Sequence, residues 1–178
     1  AGIKTVGYEM VEDCCDTYRK NLRSECHQEI ITKDTEFPRA RVLIGGPPCQ
    51  PFSRRGKRKG QIDDRNGFPA FIEAVKKVQP DLWMCENVKG LPEQSTSYFQ
   101  SIIDQCKKLG YIVEHRTFQL VKFDVPQSRE RMVIVGHHGG FKFPKPNDYV
   151  ISAGEALGAL ATDIPDNAIF LTPAMDEY

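Results

Sequence analysis

Apolar residues along this chain alternate between short continuous runs and a helical spacing, and that alternation limits the possible folds more than any other feature. IKTVGY (3–8) has strand character, and VEDCCDTYRKNL (11–22) places Val11, Cys14, Cys15, Tyr18 and Leu22 on one helical face. ARVLIGG (40–46) gives a second strand, ended by glycine. FPAFIEAVKKV (68–78) returns to helical spacing through Phe68, Phe71, Ile72, Val75 and Val78. Pro80 ends that helix, and DLWMCENV (81–88) is the next strand. YFQSIIDQCKKLG (98–110) is a helix with Ile102, Ile103, Cys106 and Leu109 inward and Gly110 as its stop. Two strands follow, YIVEHRTFQL (111–120) and RMVIVG (131–136), then a proline-bearing tail with a short helix over 152–161. Strands alternating with helices predict an α/β fold: a doubly wound, mixed but mostly parallel sheet with helices on both faces. The 178 residues suffice for one domain with a proper core.

In such a sheet, chemistry collects just beyond the C-terminal strand ends. Two residues fall there: Cys49, past the strand at 42–45, and Glu86, closing the strand at 82–86. Should those strands be parallel neighbours, a thiol and a carboxylate converge at one rim. Prolines on both sides of Cys49 fix backbone φ and present the thiol with little conformational freedom. Nearby cations stabilise a thiolate, and Arg54, Arg55, Arg129 and Arg131 are candidates for that field. Most cysteines are simply small hydrophobes, which is the reading for Cys14, Cys15, Cys26 and Cys106. A glutamate ending LWMCE is costly to bury unless paired or neutral; alone it reads equally as a carboxylate reaching solvent. Beside Cys49 it becomes an acid able to protonate a substrate nitrogen. In VPQSRER (125–131), Gln127, Arg129 and Arg131 alternate, so an extended backbone projects them to one side, suited to phosphate oxygens or a carbonyl. A solvated charged edge is the plain alternative.

Charge matters here only locally. Lys plus Arg (24) equals Asp plus Glu (24), but the stretch from 54 to 65 holds Arg54, Arg55, Lys57, Arg58, Lys59 and Arg65 against Asp63 and Asp64. No apolar run reaches membrane-spanning length and no signal-peptide pattern appears. The six cysteines include no C-x-x-C pair, which argues against zinc and for reduced thiols in a cytoplasmic, nucleoid or nuclear setting. No metal is expected.

GGPPCQPFS, then ENVKGL, then PQSRERMVIVG, in that order, resemble the C5-cytosine DNA methyltransferases, and the resemblance covers nearly the whole chain. It implies a sheet of the S-adenosylmethionine-dependent methyltransferase (Rossmann-like) type, truncated at both ends. It implies Cys49 as the nucleophile adding to cytosine C6 and Glu86 as the group holding the ring N3 and amino group. Asn87 braces the Pro48–Cys49 loop, Arg131 binds the ring carbonyl, and Arg129 lies beside the thiol and phosphate. Glu9, Met10 and Pro48 are the implied contacts for S-adenosylmethionine. The partner implied is double-stranded DNA with a flipped cytosine, contacted by Gln50, Ser53, Arg54, Arg55, Lys57, Arg58 and Gln127. Gly56, Gly60 and Gly67 are read as hinges of that basic loop.

The sequence departs from the family pattern in two places. The family's Gly-rich cofactor loop is absent, and the acidic position expected around 29–32 falls on Ile30, with Asp34 displaced. The reading is therefore a partial catalytic domain over 1–149, then the start of a connection to a target-recognition region over 150–178. Such a chain, taken alone, is expected to be inactive and to need a complementing segment. Three rivals stand beside this one: a relative methylating cytosine in transfer RNA, a non-catalytic nucleic-acid-binding fragment, and a Cys–His hydrolase using one of His27, His115, His137 and His138.

Overall fold

The computed structural model describes residues 3–48, 66–91 and 95–158. It contains strand β1 (Val6–Glu9), helix α1 (Glu12–Leu22), strands β2 (Glu25–Gln28) and β3 (Val42–Gly45), and helix α2 (Phe68–Val78). Then come β4 (Leu82–Asn87), α3 (Thr96–Lys108), β5 (Ile112–Gln119), a 3-10 turn (Leu120–Lys122), β6 (Glu130–His137) and α4 (Ala153–Leu157). β1 and β2 form a parallel pair with Val6 opposite Glu25. The larger sheet has the order β3-β4-β6-β5; β3 and β4 run parallel, and β6 joins β4 antiparallel. No described helix is long and apolar enough to cross a membrane.

The predicted helix over 68–78 coincides with α2, because its apolar spacing is unbroken and its ends are marked. Pro69 enters the first turn, where its missing N–H costs nothing; Gln79 ends the helix at φ 48, and Pro80 follows. Gly110 closes the α3 region at φ 93, with its N–H on the Lys107 carbonyl. β2 was not legible. Its sequence, ECHQ, has one buried residue, Cys26, and carries no alternating apolar signal. α1 also buries less than its spacing implies: only Cys15 is buried, while Cys14, Val11 and Leu22 are exposed.

The chain divides into two compact units. The first comprises the chain up to Thr117 together with Arg131–Lys142; the second comprises Phe118–Glu130 and the chain from Phe143 onward. In the first unit, α2 and α3 bury Phe68, Phe71, Val75, Phe99, Ile102 and Ile103 against Trp83 and Cys85 of β4 and Met132 and Ile134 of β6. Trp83 meets Phe71 and Tyr111 edge to face, and the Tyr111 hydroxyl donates to the Pro80 carbonyl at 2.8 Å. Gly136 lies directly under the indole: a Cβ there would sit 2.1 Å from Trp83 Cε2. Burying Trp83 flat on β6 requires glycine at that position. In the second unit, Phe118 packs against Phe123 and Phe143. Asn147 donates from its backbone to the Lys122 carbonyl and from its side chain to Asp124, both at 2.8 Å. Ser152 and Glu155 form a reciprocal cap on α4.

Candidate active site

β3 carries the chain to Gly45, whose missing Cβ lets the Phe71 ring of α2 lie against the strand; a Cβ would be 2.6 Å from Phe71 Cε2. Gly46, buried Pro47 and exposed Pro48 follow. In the parallel register Gly45 pairs with Cys85, so Glu86 and Asn87 continue β4 alongside the residues that follow Gly45. Asn87 is 5% exposed, and its amide is used at both ends. Nδ2 donates to the Pro47 carbonyl at 3.0 Å, and Oδ1 accepts the Val88 N–H at 2.9 Å. A buried amide demands such partners, and the bond fixes the end of β4 to the residues just before Cys49.

Glu86 pairs across the sheet with Val133, and Arg131, two residues earlier on β6, shares their face. The two charges meet there, Arg131 Nε to Glu86 Oε1 at 2.6 Å, the arginine mostly covered and the glutamate half exposed. At the end of β1, Glu9 accepts the Val11 N–H on Oε1 at 3.0 Å, and its carbonyl accepts the Glu29 N–H at 3.0 Å. Met10 is 62% exposed. Glu29 is engaged by the buried Thr35 hydroxyl at 3.0 Å, while Ile30 points largely to solvent.

Cys49, Gln50, Ser53, Arg54, Arg55, Lys57 and Arg58 lie outside the described residues. Gln127 and Arg129 are exposed in the second unit, and the extended run expected to align them with Arg131 is not formed. β6 begins only at Glu130. Just before it, Pro126 supplies no N–H and the Gln127 N–H turns back to the Val125 carbonyl at 2.7 Å.

The buried thiols are chemically quiet. Burial pushes Cys106 up to about 12, and burial followed by the neighbouring Cys26 thiol raises Cys15. Each histidine has another engagement. His27 meets Glu25, His115 sits edge-on to Phe99, and His138 stacks on Tyr111. His137 Nδ1 accepts the Gly139 N–H, so its Nε2 carries the hydrogen donated to Glu114 at 3.0 Å. Among the described residues no group of three or more His, Cys, Asp or Glu side chains could hold a metal.

Two residues of the site were missed or misread in the sequence. The Gly67 N–H donates to the Pro48 carbonyl at 2.9 Å, and Asn66 is bonded to the Tyr98 hydroxyl. Gly67 has φ −81 and ψ −9, an ordinary right-handed conformation.

A parallel strand pair sets Pro47–Pro48 beside Glu86–Asn87, with Arg131 on the adjoining antiparallel strand, in an α/β fold. The chain belongs to the C-5 cytosine-specific DNA methylase family, whose model matches residues 2–169. It is 38% identical over its whole length to Type II methyltransferase M.AplI of Arthrospira platensis, covering 52% of that protein. With Type II methyltransferase M.BsuFI of Bacillus subtilis it shares 40% identity over 74% of this chain and 34% of the other. A prophage-encoded DNA modification methyltransferase of E. coli shares the fold, with a TM-score of 0.64 at 22% identity, over 87% of this chain and 47% of that one. The chain thus spans about half the length of M.AplI and a third of M.BsuFI.

Proposed function

We propose that this chain carries the catalytic strand ends of a DNA (cytosine-5)-methyltransferase, which moves a methyl group from S-adenosylmethionine to C5 of a cytosine flipped out of double-stranded DNA. The observation that carries this reading is the 3.0 Å bond from Asn87 to the Pro47 carbonyl, which couples the strand end bearing Glu86 to the residues that precede Cys49.

Cytosine C5 is a weak nucleophile. The Cys49 thiolate adds to C6, forming an S–C6 bond, while Glu86 delivers a proton to N3 and the ring becomes an enamine nucleophilic at C5. S-adenosylmethionine, when bound, supplies the electrophilic methyl group that C5 accepts. Water then takes the C5 proton, the electron pair of that C–H bond restores the ring double bond, and the S–C6 bond breaks to return the thiolate. N3 gives its proton back to Glu86. Arg131, in contact with Glu86 at 2.6 Å, presents its guanidinium to the ring carbonyl of the entering base. Arg129 serves the thiol and the adjacent phosphate.

The residues for the cofactor suit it chemically. Glu9 keeps one carboxylate oxygen beyond its bond to Val11 for the ribose hydroxyls, and Met10 offers an exposed thioether to a flat base. Pro48 adds an apolar edge. The base is reachable only outside the stack, and Gln50, Ser53, Arg54, Arg55, Lys57, Arg58 and Gln127 hold the surrounding phosphates without reading sequence.

A complementing segment with a Gly-rich strand belongs to the same reading. Among the described residues β1 and β3 each have a hydrogen-bonded neighbour on one side only, and Val42 and Ile44 of β3 are 52% and 66% exposed. Calorimetric titration of the isolated chain with S-adenosylmethionine is expected to give no saturable binding. Adding the complementing segment restores binding and moves labelled methyl groups into DNA. Saturable micromolar binding by the chain alone would remove the need for that segment, and labelling of transfer RNA in preference to DNA would overturn the substrate.

A further inference from the structure

Pro48 and Gly67 flank the 49–65 run, and they are bonded to each other through the Gly67 N–H and the Pro48 carbonyl. The conformation at Gly67 is one that any L-residue adopts, so backbone freedom does not explain the glycine. Space does. A Cβ at position 67 would lie 2.4 Å from Pro48 Cδ, 3.0 Å from Pro48 N and 3.1 Å from Pro47 Cα. Those atoms belong to a proline ring and to backbone, which cannot swing aside as a flexible side chain does. On the other side the same dipeptide is held by Asn87, through the Pro47 carbonyl. Asn66 holds Gly67 in turn: its Nδ2 is bonded to the Tyr98 hydroxyl, and its Oδ1 accepts the Phe68 N–H at 3.3 Å.

We propose that Gly67 is a positioning residue for methyl transfer. By bringing no side chain against Pro47–Pro48, it lets Asn87 and the start of α2 clamp that dipeptide, and so fixes where the next residue in the chain, Cys49, begins. Gly67 touches no substrate in this role. The inference rests on the reading of Cys49 as the nucleophile.

The test uses the complete methyltransferase carrying Gly67→Ala or Gly67→Ser. Three quantities are read: affinity for DNA, thermal midpoint, and the rate of covalent adduct formation with DNA containing 5-fluorocytosine. A displacement of about 1 Å at a reacting group costs roughly 100-fold. The adduct rate is therefore expected to fall roughly 10- to 100-fold, with DNA affinity nearly unchanged. Serine brings the same Cβ as alanine and is expected to lose adduct rate likewise; a purely helical role would instead move the thermal midpoint and leave the adduct rate of the folded enzyme unchanged. Adding Pro48→Ala to Gly67→Ala removes the atom met at 2.4 Å and is expected to recover part of the rate. Should Gly67→Ala fail to fold, Tyr98→Phe frees Asn66 without adding bulk, and the adduct rate is again expected to fall with DNA affinity retained. Parental adduct rates in the Gly67→Ser and Tyr98→Phe proteins overturn the proposal. Failure of the underlying reading looks different, since the parent enzyme itself would then form no adduct.

Discussion

Cys49→Ser is expected to reduce methyl transfer below detection while leaving DNA affinity essentially unchanged. Only the covalent step needs a thiolate, and a serine hydroxyl is neither ionised nor comparably nucleophilic at neutral pH. DNA binding rests on phosphate contacts that the substitution does not touch. The companion experiment is a denaturing gel with 5-fluorocytosine DNA. Fluorine at C5 cannot leave as a proton does, so the parent enzyme stays bonded to C6 and migrates with the DNA, whereas the Cys49→Ser protein runs free. A serine variant that methylates at close to the parental rate would remove Cys49 from the reaction.

Glu86→Gln is expected to lower the rate of methyl transfer roughly 10²- to 10⁴-fold, the range typical of a lost general acid. Glutamine keeps the shape and can still hydrogen-bond the base, but it has no proton of suitable acidity to give to N3. The fold should tolerate the change. Glu86 is half exposed, and its pair with Arg131 is of a kind worth at most about 1 kcal/mol. Single-turnover kinetics at saturating DNA separate the two effects: the chemical step slows while the unfolding midpoint barely moves. A rate within a few-fold of the parent would mean that N3 takes its proton from elsewhere.

The elements that position this site were readable wherever burial imposes a clean period. α2 and β4 came out within a residue of their observed ends because Phe68, Phe71 and Val75 of the helix face one core and Pro80 separates the helix from the strand. The parallel pairing of β3 with β4, on which convergence of Cys49 and Glu86 depends, was posed as a condition and is met by the register. β2 escaped because a four-residue strand with one buried side chain leaves no periodic trace. The alternation of Gln127, Arg129 and Arg131 has strand backbone beneath it only from Glu130, where β6 begins, because a period of two in sequence does not itself make a strand. For Gly67 the structure adds a close contact that the sequence does not show. A glycine in sequence signals either freedom or proximity, and only the position of Pro48 decides between them.

The chain holds a single tryptophan, and the fold has made it an optical probe of the catalytic strand. Trp83 is 1% exposed, three residues before Glu86 on β4, and its indole N–H has no hydrogen-bond partner among the described residues. A ring so dry emits at short wavelength when excited, and contact with water shifts that emission to the red. Since no second indole contributes, intrinsic fluorescence from this chain is a label-free signal from the strand that bears Glu86 and Asn87, against which ligand binding, denaturant and temperature can each be followed.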